Sequence, residues 1–165
     1  MLKAYIRLLR WPNLLIIGLI FILVKTQLVD PISMLSGVNS CISDLDRLLM
    51  ALATILIAAS GNVVNDIFDQ DIDFHNIPEK VIVGKVIPEQ HAWNFYYALG
   101  SAGLGLGMYL CWNLGNVSNS LIFMLSAGAL YFYSYSYKRQ FLIGNVVVAF
   151  LAALVQLTRS YLLMQ

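Results

Sequence analysis

Apolar residues along this chain gather into five long runs separated by short polar connections, near Trp11 to Lys25, Arg47 to Ile67, Ala92 to Trp112, Ser118 to Tyr137 and Gly144 to Leu163. A helix needs roughly 17–25 predominantly apolar residues to cross a bilayer, and each run meets or approaches that length. The pattern therefore predicts an all-α, multi-pass transmembrane helical bundle of about five spans, in one domain over residues 1–165. Lys3, Arg7 and Arg10 precede the first run as they would in a signal peptide, but no small-residue cleavage site follows, so it reads as a retained helix. Pro12 sits near its start, where a missing N–H costs nothing. Between the first two runs, Thr26 to Asp46 contains Asp30-Pro31, Ser36-Gly37 and Asn39-Ser40 and reads as a connection without chemistry.

Polarity breaks into the apolar pattern most sharply where the second run ends. Along Gly61 to Asp73, the residues Asn62, Asn65, Asp66, Asp69 and Asp73 fall at i, i+3, i+4, i+7 and i+11. Helical pitch puts these five on one face and turns Asp71 away. Clustered carboxylates disfavour one another's charge, whereas a bound divalent cation converts the repulsion into coordination. Oxygen-only ligands suit a hard ion, and Mg²⁺ usually takes one or two protein carboxylates and completes its shell with water and phosphate oxygens. The face thus points to Mg²⁺ and a diphosphate-bearing substrate. A calcium loop opening at Asp69 fails on its own pattern, because its sixth and twelfth positions are Phe74 and Lys80 instead of Gly and Glu.

Composition agrees with the pattern. Hydrophobic residues make up 59% of the chain and mean hydropathy is +0.74, well above the roughly 45–50% apolar content of a soluble domain. A net charge of +1 with no basic stripe gives no reason to expect nucleic acid. With alternating spans, Lys3, Arg7, Arg10, Lys80, Lys85, Lys138 and Arg139 share one side and Lys25, Arg47 and Arg159 the other. That asymmetry predicts the N-terminus and the aspartate face on the cytoplasmic side of the membrane, expected to be a bacterial or archaeal plasma membrane.

The later segments add partners for a diphosphate. Phe74 to Glu89 is punctuated by Pro78, Gly84 and Pro88 and reads as a loop holding one short helix at most. By chain length its Lys80 and Lys85 reach the aspartate face, where lysine serves as a point charge for diphosphate oxygens, although cytoplasmic loops carry lysine for topology alone. His75 and His91 lack the spacing of metal ligands. In the third run Gly103 and Gly107 form a GxxxG pair, a close-packing signal, whereas Met108 spoils a dinucleotide loop. Cys41 and Cys111 read as small buried residues, and the Asn116-Val117-Ser118 sequon as chance. The fourth run ends in Tyr131 to Arg139, whose tyrosines and Lys138 suit either an interfacial belt or contacts to phosphate and cation.

Asn65-Asp66-x-x-Asp69-x-x-x-Asp73, Pro78…Gly84-Lys85 and Tyr133…Lys138-Arg139…Gly144-Asn145 together resemble the UbiA superfamily of intramembrane prenyltransferases. The resemblance covers essentially the whole chain and implies a nine-helix bundle, of which these residues would form the first half. It further implies a Mg²⁺-dependent transfer of a prenyl group from a prenyl diphosphate to an aromatic or glycerol-phosphate lipid acceptor, within the lipid bilayer. On that basis Asp66, Asp69 and Asp73 hold Mg²⁺–diphosphate with help from Asn65 and Asn62, and Lys80, Lys85, Tyr133 and Lys138 contact diphosphate or the allylic cation. Asn76…Pro78…Ile82-Val83-Gly84 resembles the archaeal lipid-forming branch. Two departures stand out. Lys80-Val81 replaces the family's Arg-Pro, and no aspartate follows Asp73, so the second aspartate motif is missing and the chain reads as the first part of a longer protein. The competing expectations are an incomplete fragment that needs a second half and an ion or solute transporter, whose carboxylates would lie deep in the membrane rather than at a helix end.

Overall fold

The computed structural model describes residues 1–36, 43–115 and 117–135. Its elements are α1 (Leu2–Leu8), α2 (Trp11–Val24), α3 (Asp30–Ser36), α4 (Asp44–Phe68), α5 (Gln70–Asn76), α6 (Glu89–Asn113) and α7 (Ser120–Tyr135). Among the described residues there is no strand; the one β-type contact is an isolated bridge between Val83 and Ile87. The all-helical class is as expected. The fifth span, together with Lys138, Cys41, Asn116 and Gly144-Asn145, lies outside the described residues.

α4 is the axis of the molecule. Its start is fixed by a capping box, in which the Ser43 hydroxyl accepts from the Asp46 N–H at 3.1 Å while the Ser43 N–H donates to Asp46 Oδ2 at 3.3 Å. From there 25 residues run to Phe68, about 37 Å at helical rise and enough to cross a bilayer. α6 packs most extensively against α4, with α7 next to both.

Two glycines make the α4–α6–α7 approach possible. A Cβ on Gly103 would stand 2.8 Å from Ile57 Cγ1 and 3.0 Å from the Ala53 carbonyl, and one on Gly107 would stand 2.8 Å from the Phe123 ring. The GxxxG pair is thus a packing device with a different neighbour for each glycine. Around it Met50, Ala53, Ile57, Leu110, Cys111 and Phe123 form one buried cluster. Cys111 is a buried free thiol there, in line with its reading as a small core residue.

Two expectations need correction. The segment from Thr26 to Asp46 is not simply a loop: a π-helical turn at Lys25–Val29 carries α2 into α3. Pro31 falls in the first turn of α3, where a proline costs no hydrogen bond, so a residue read as a breaker is compatible with helix. The first span is preceded by a separate helix, and α1 and the α2 segment meet at a bend of 54°. Among the described residues, α4 is long and apolar enough to span a membrane and the bent α1–α2 pair passes when taken together; the fifth expected run lies outside them. α6 has the length, but four glycines and the polar start Glu89-Gln90-His91 dilute its apolarity, and α7 has 16 described residues.

Candidate functional site

The polar face at the end of α4 divides into two lines of side chains. Backbone hydrogen bonds run from the Asp69 N–H to the Asn65 carbonyl (3.0 Å) and from the Asp73 N–H to the Asp69 carbonyl (2.8 Å). Helical register therefore continues across the junction of α4 and α5, although Asp69 itself, at φ −83° and ψ −8°, is a break between them. Asn65, Asp69 and Asp73 form the first line, and within it Asn65 Nδ2 donates to Asp69 Oδ2 at 3.0 Å. Asn65 is buried and Asp69 and Asp73 are half-buried, so the carboxylates open outward from a packed base.

Asn62, Asp66 and Gln70 form the second line, which faces other parts of the chain. Asn62 Nδ2 donates to the Leu9 carbonyl at 2.9 Å, and Arg10 Nη2 donates to Asp66 Oδ1 at 2.5 Å. Leu9 and Arg10 are the residues at the α1–α2 bend, and Arg10 is the one non-glycine residue among the described ones with positive φ, 50°. One turn further, the Gln70 side chain lies against Gly84, where an added Cβ would be 2.3 Å from Gln70 Nε2. A single i, i+4, i+8 series thus docks both the N-terminal bend and the lysine-bearing loop.

That loop is anchored from beneath. Val81, Ile82, Val83 and Ile87 are buried, and Ile82, Val83 and Ile87 join Leu8, Val63, Ile67 and Ala92 in a second apolar cluster. The turn between them is closed by the Gly84 N–H on the Ile87 carbonyl (2.8 Å) and the Val86 N–H on the Ile82 carbonyl (2.9 Å). Gly84, at φ 81°, takes a backbone conformation that glycine adopts without cost. Lys85 is left exposed at its tip, with Nζ donating to the Pro78 carbonyl at 3.3 Å. Lys80 lies in a 3-10 turn, Pro78–Lys80.

Aromatic rings fix the other flank. Phe68, adjacent to Asp69, packs edge-on against Trp93, Tyr131 and Tyr135 at centroid separations of 5.9, 5.6 and 5.5 Å. Tyr131 and Tyr135 are one turn apart and share a face of α7. Tyr133, singled out from sequence, is half-buried and sits at a different angle on the helix.

Sequence reasoning missed Arg10, Gln70 and Phe68. Nothing in the sequence set Arg10 apart from other basic residues that flank an apolar run for topology alone. Among the described residues no three of His, Cys, Asp and Glu converge into a cluster able to hold a metal ion alone. The donor set still fits Mg²⁺, which takes few protein carboxylates and draws the rest of its shell from phosphate and water.

Residues 32–162 match the model of the UbiA prenyltransferase family. The chain is similar to proteins named digeranylgeranylglyceryl phosphate synthase, including those of Methanococcus maripaludis (35% identity over 64% of this chain and 36% of the relative), Sulfurisphaera tokodaii (33%, 66% and 37%) and Methanobrevibacter smithii (31%, 72% and 42%). It also superposes on a solved structure concerned with digeranylgeranylglyceryl phosphate synthase in membranes, with a TM-score of 0.74 and 29% identity, over 98% of this chain and 53% of that one. The chain therefore spans about half the length of the solved relative, and the aligned parts span well under half of the curated ones.

Proposed function

The chain belongs to the UbiA prenyltransferase family, and we propose that it acts as a Mg²⁺-dependent membrane prenyltransferase, moving a prenyl group from a prenyl diphosphate to the hydroxyl of a glycerol-phosphate lipid. The observation that carries this reading is the register-held line Asn65–Asp69–Asp73 at the end of a membrane-length helix, beside an anchored loop that presents Lys85. The choice of a lipid alcohol over an aromatic acceptor rests on the names of the archaeal relatives.

In this reading Asp66, Asp69 and Asp73, which do not converge into a closed protein cluster, would share the metal with phosphate and water oxygens, and Asn65 would orient the Asp69 carboxylate through its amide. Bound Mg²⁺ would offset the charge that grows on the departing diphosphate. Lys80, Lys85, Tyr133 and Lys138 bind the diphosphate oxygens, with Asn62 supporting the site from the adjoining line. The bond from the prenyl C1 to the diphosphate oxygen breaks with its electron pair leaving on the diphosphate. The acceptor oxygen then bonds to C1 and passes its proton to the released diphosphate. Phe68, next in sequence to Asp69, and its ring partners Tyr131 and Tyr135 are the aromatic groups that would stabilise an allylic cation here. The lysine and arginine asymmetry supports a cytoplasmic site, and lipid around the bundle accommodates the apolar prenyl tail.

The test is transfer from radiolabelled geranylgeranyl diphosphate to geranylgeranylglyceryl phosphate in proteoliposomes, against 4-hydroxybenzoate as acceptor. Labelled digeranylgeranylglyceryl phosphate is the expected product. Product with 4-hydroxybenzoate only would overturn the acceptor, and hydrolysis or transfer that is unchanged in EDTA would overturn the metal.

A further inference from the structure

Arg10 occupies a position that the proposed reaction does not yet use. Its guanidinium bonds the carboxylate of Asp66, one of the carboxylates of the proposed Mg²⁺ site. Arg10 is the more exposed member, with side-chain exposures of 44% and 21%. The backbone beneath it is held independently: Asn62 Nδ2 grips the Leu9 carbonyl, and the Asn13 N–H donates to the Arg10 carbonyl at 2.8 Å. The side chain can therefore leave Asp66 without dismantling the bend. Left-handed backbone at a non-glycine residue is unfavourable and is kept where surrounding structure imposes it, often at ligand clamps. Here it aims the side chain at the aspartate face from the bend between α1 and α2.

Charge governs the response of this pair to ligand. A dication and a guanidinium cannot share one carboxylate at contact distance, so a metal at Asp66 repels Arg10. The only strong anion that arrives with the metal is the diphosphate, and the planar guanidinium matches phosphate oxygens in bidentate fashion. We propose that Arg10 is a diphosphate-binding residue parked on Asp66, which hands the carboxylate to the metal and takes the diphosphate as substrate binds. This rests on the prenyltransferase reading. It makes Asp66 the residue that stores Arg10 in the free protein, and Arg10 a guard that neutralises the face until substrate arrives.

The handover predicts effects of opposite sign, which a purely structural ion pair does not. Mn²⁺ binding without diphosphate, followed by electron paramagnetic resonance, tightens in Arg10→Gln because a competitor for Asp66 is gone. Binding of geranylgeranyl thiolodiphosphate in Mg²⁺ weakens roughly tenfold to a hundredfold in the same variant, the loss of charge-assisted hydrogen bonds. Arg10→Lys, which keeps the charge but loses the planar fork, gives an intermediate loss. Unchanged thiolodiphosphate binding in Arg10→Gln overturns the proposal, as does parallel weakening of Mn²⁺ and thiolodiphosphate in both variants. Asp69→Asn separates the two levels: loss of binding there but not in Arg10→Gln sinks the Arg10 role alone, whereas wild-type protein that binds no thiolodiphosphate sinks the prenyltransferase reading with it.

Discussion

Gln70 and Gly84 meet so closely that a Cβ on the glycine would lie 2.3 Å from Gln70 Nε2. The contact joins the start of α5 to the turn that presents Lys85, and Gly84 sits there at φ 81°. Two features forbid a side chain at this point: the left-handed backbone and the occupied space. Gly84→Ala should cost about 1–2 kcal/mol from the backbone alone. The flexible amide of Gln70 can retreat, so the damage stays in the loop. Hydrogen exchange should show faster exchange over residues 82–87, where the Gly84 and Val86 N–H bonds close the turn, with α4 and α6 unaffected.

The α4–α6 contact gives a paired test. Gly103→Ala drives a methyl against the Ala53 carbonyl and the Ile57 N–H at 3.0 and 3.1 Å, both backbone atoms that cannot step aside. Overpacking of this kind costs about 1–3 kcal/mol. Gly105→Ala meets nothing within 4 Å. Thermal melting in detergent should show Gly103→Ala several degrees below wild type and Gly105→Ala level with it.

Asn62 and Asn65 look alike in the sequence, but their hydrogen bonds differ. Asn62 secures the Leu9 carbonyl at the α1–α2 bend, and Asn65 serves Asp69. Asn62→Ala leaves a carbonyl without its donor, at about 1–3 kcal/mol, and lowers the melting temperature without substrate. Asn65→Ala should weaken Mg²⁺-dependent substrate binding beyond any change in melting.

Much of this arrangement was legible in the sequence. The i+4 spacing of Asn65, Asp69 and Asp73 survives in the backbone bonds across the α4–α5 break, and the GxxxG pair packs as its spacing implied. Periodicity assigns residues to a face, but it does not say what lies opposite. For that reason Asn62, Asp66 and Gln70, which fall on the polar side of the same helix, could not be recognised as a docking line for Leu9, Arg10 and Gly84. The buried turn at Val81 to Ile87 was equally hidden: Gly and Pro signals mark a loop, while burial depends on a distant apolar surface built from Leu8, Val63 and Ile67. α3 escaped because Asp30-Pro31 reads as a turn, although proline is at home in a first helical turn.

The measurement closest to the central claim is binding of a non-reactive prenyl diphosphate analogue, geranylgeranyl thiolodiphosphate, to the purified chain in detergent. It is made in Mg²⁺ and again in EDTA, for wild type and Asp69→Ala, with circular dichroism confirming helix content. Asp69 is half-buried at the mouth of the acidic line, and its removal leaves the α4–α5 backbone bonds in place. Wild type should bind in Mg²⁺ and lose the analogue in EDTA, and Asp69→Ala should bind at least tenfold more weakly while remaining folded. Binding that ignores both EDTA and Asp69→Ala, or no binding by a folded wild-type chain, would contradict the assignment of this face as a Mg²⁺–diphosphate site.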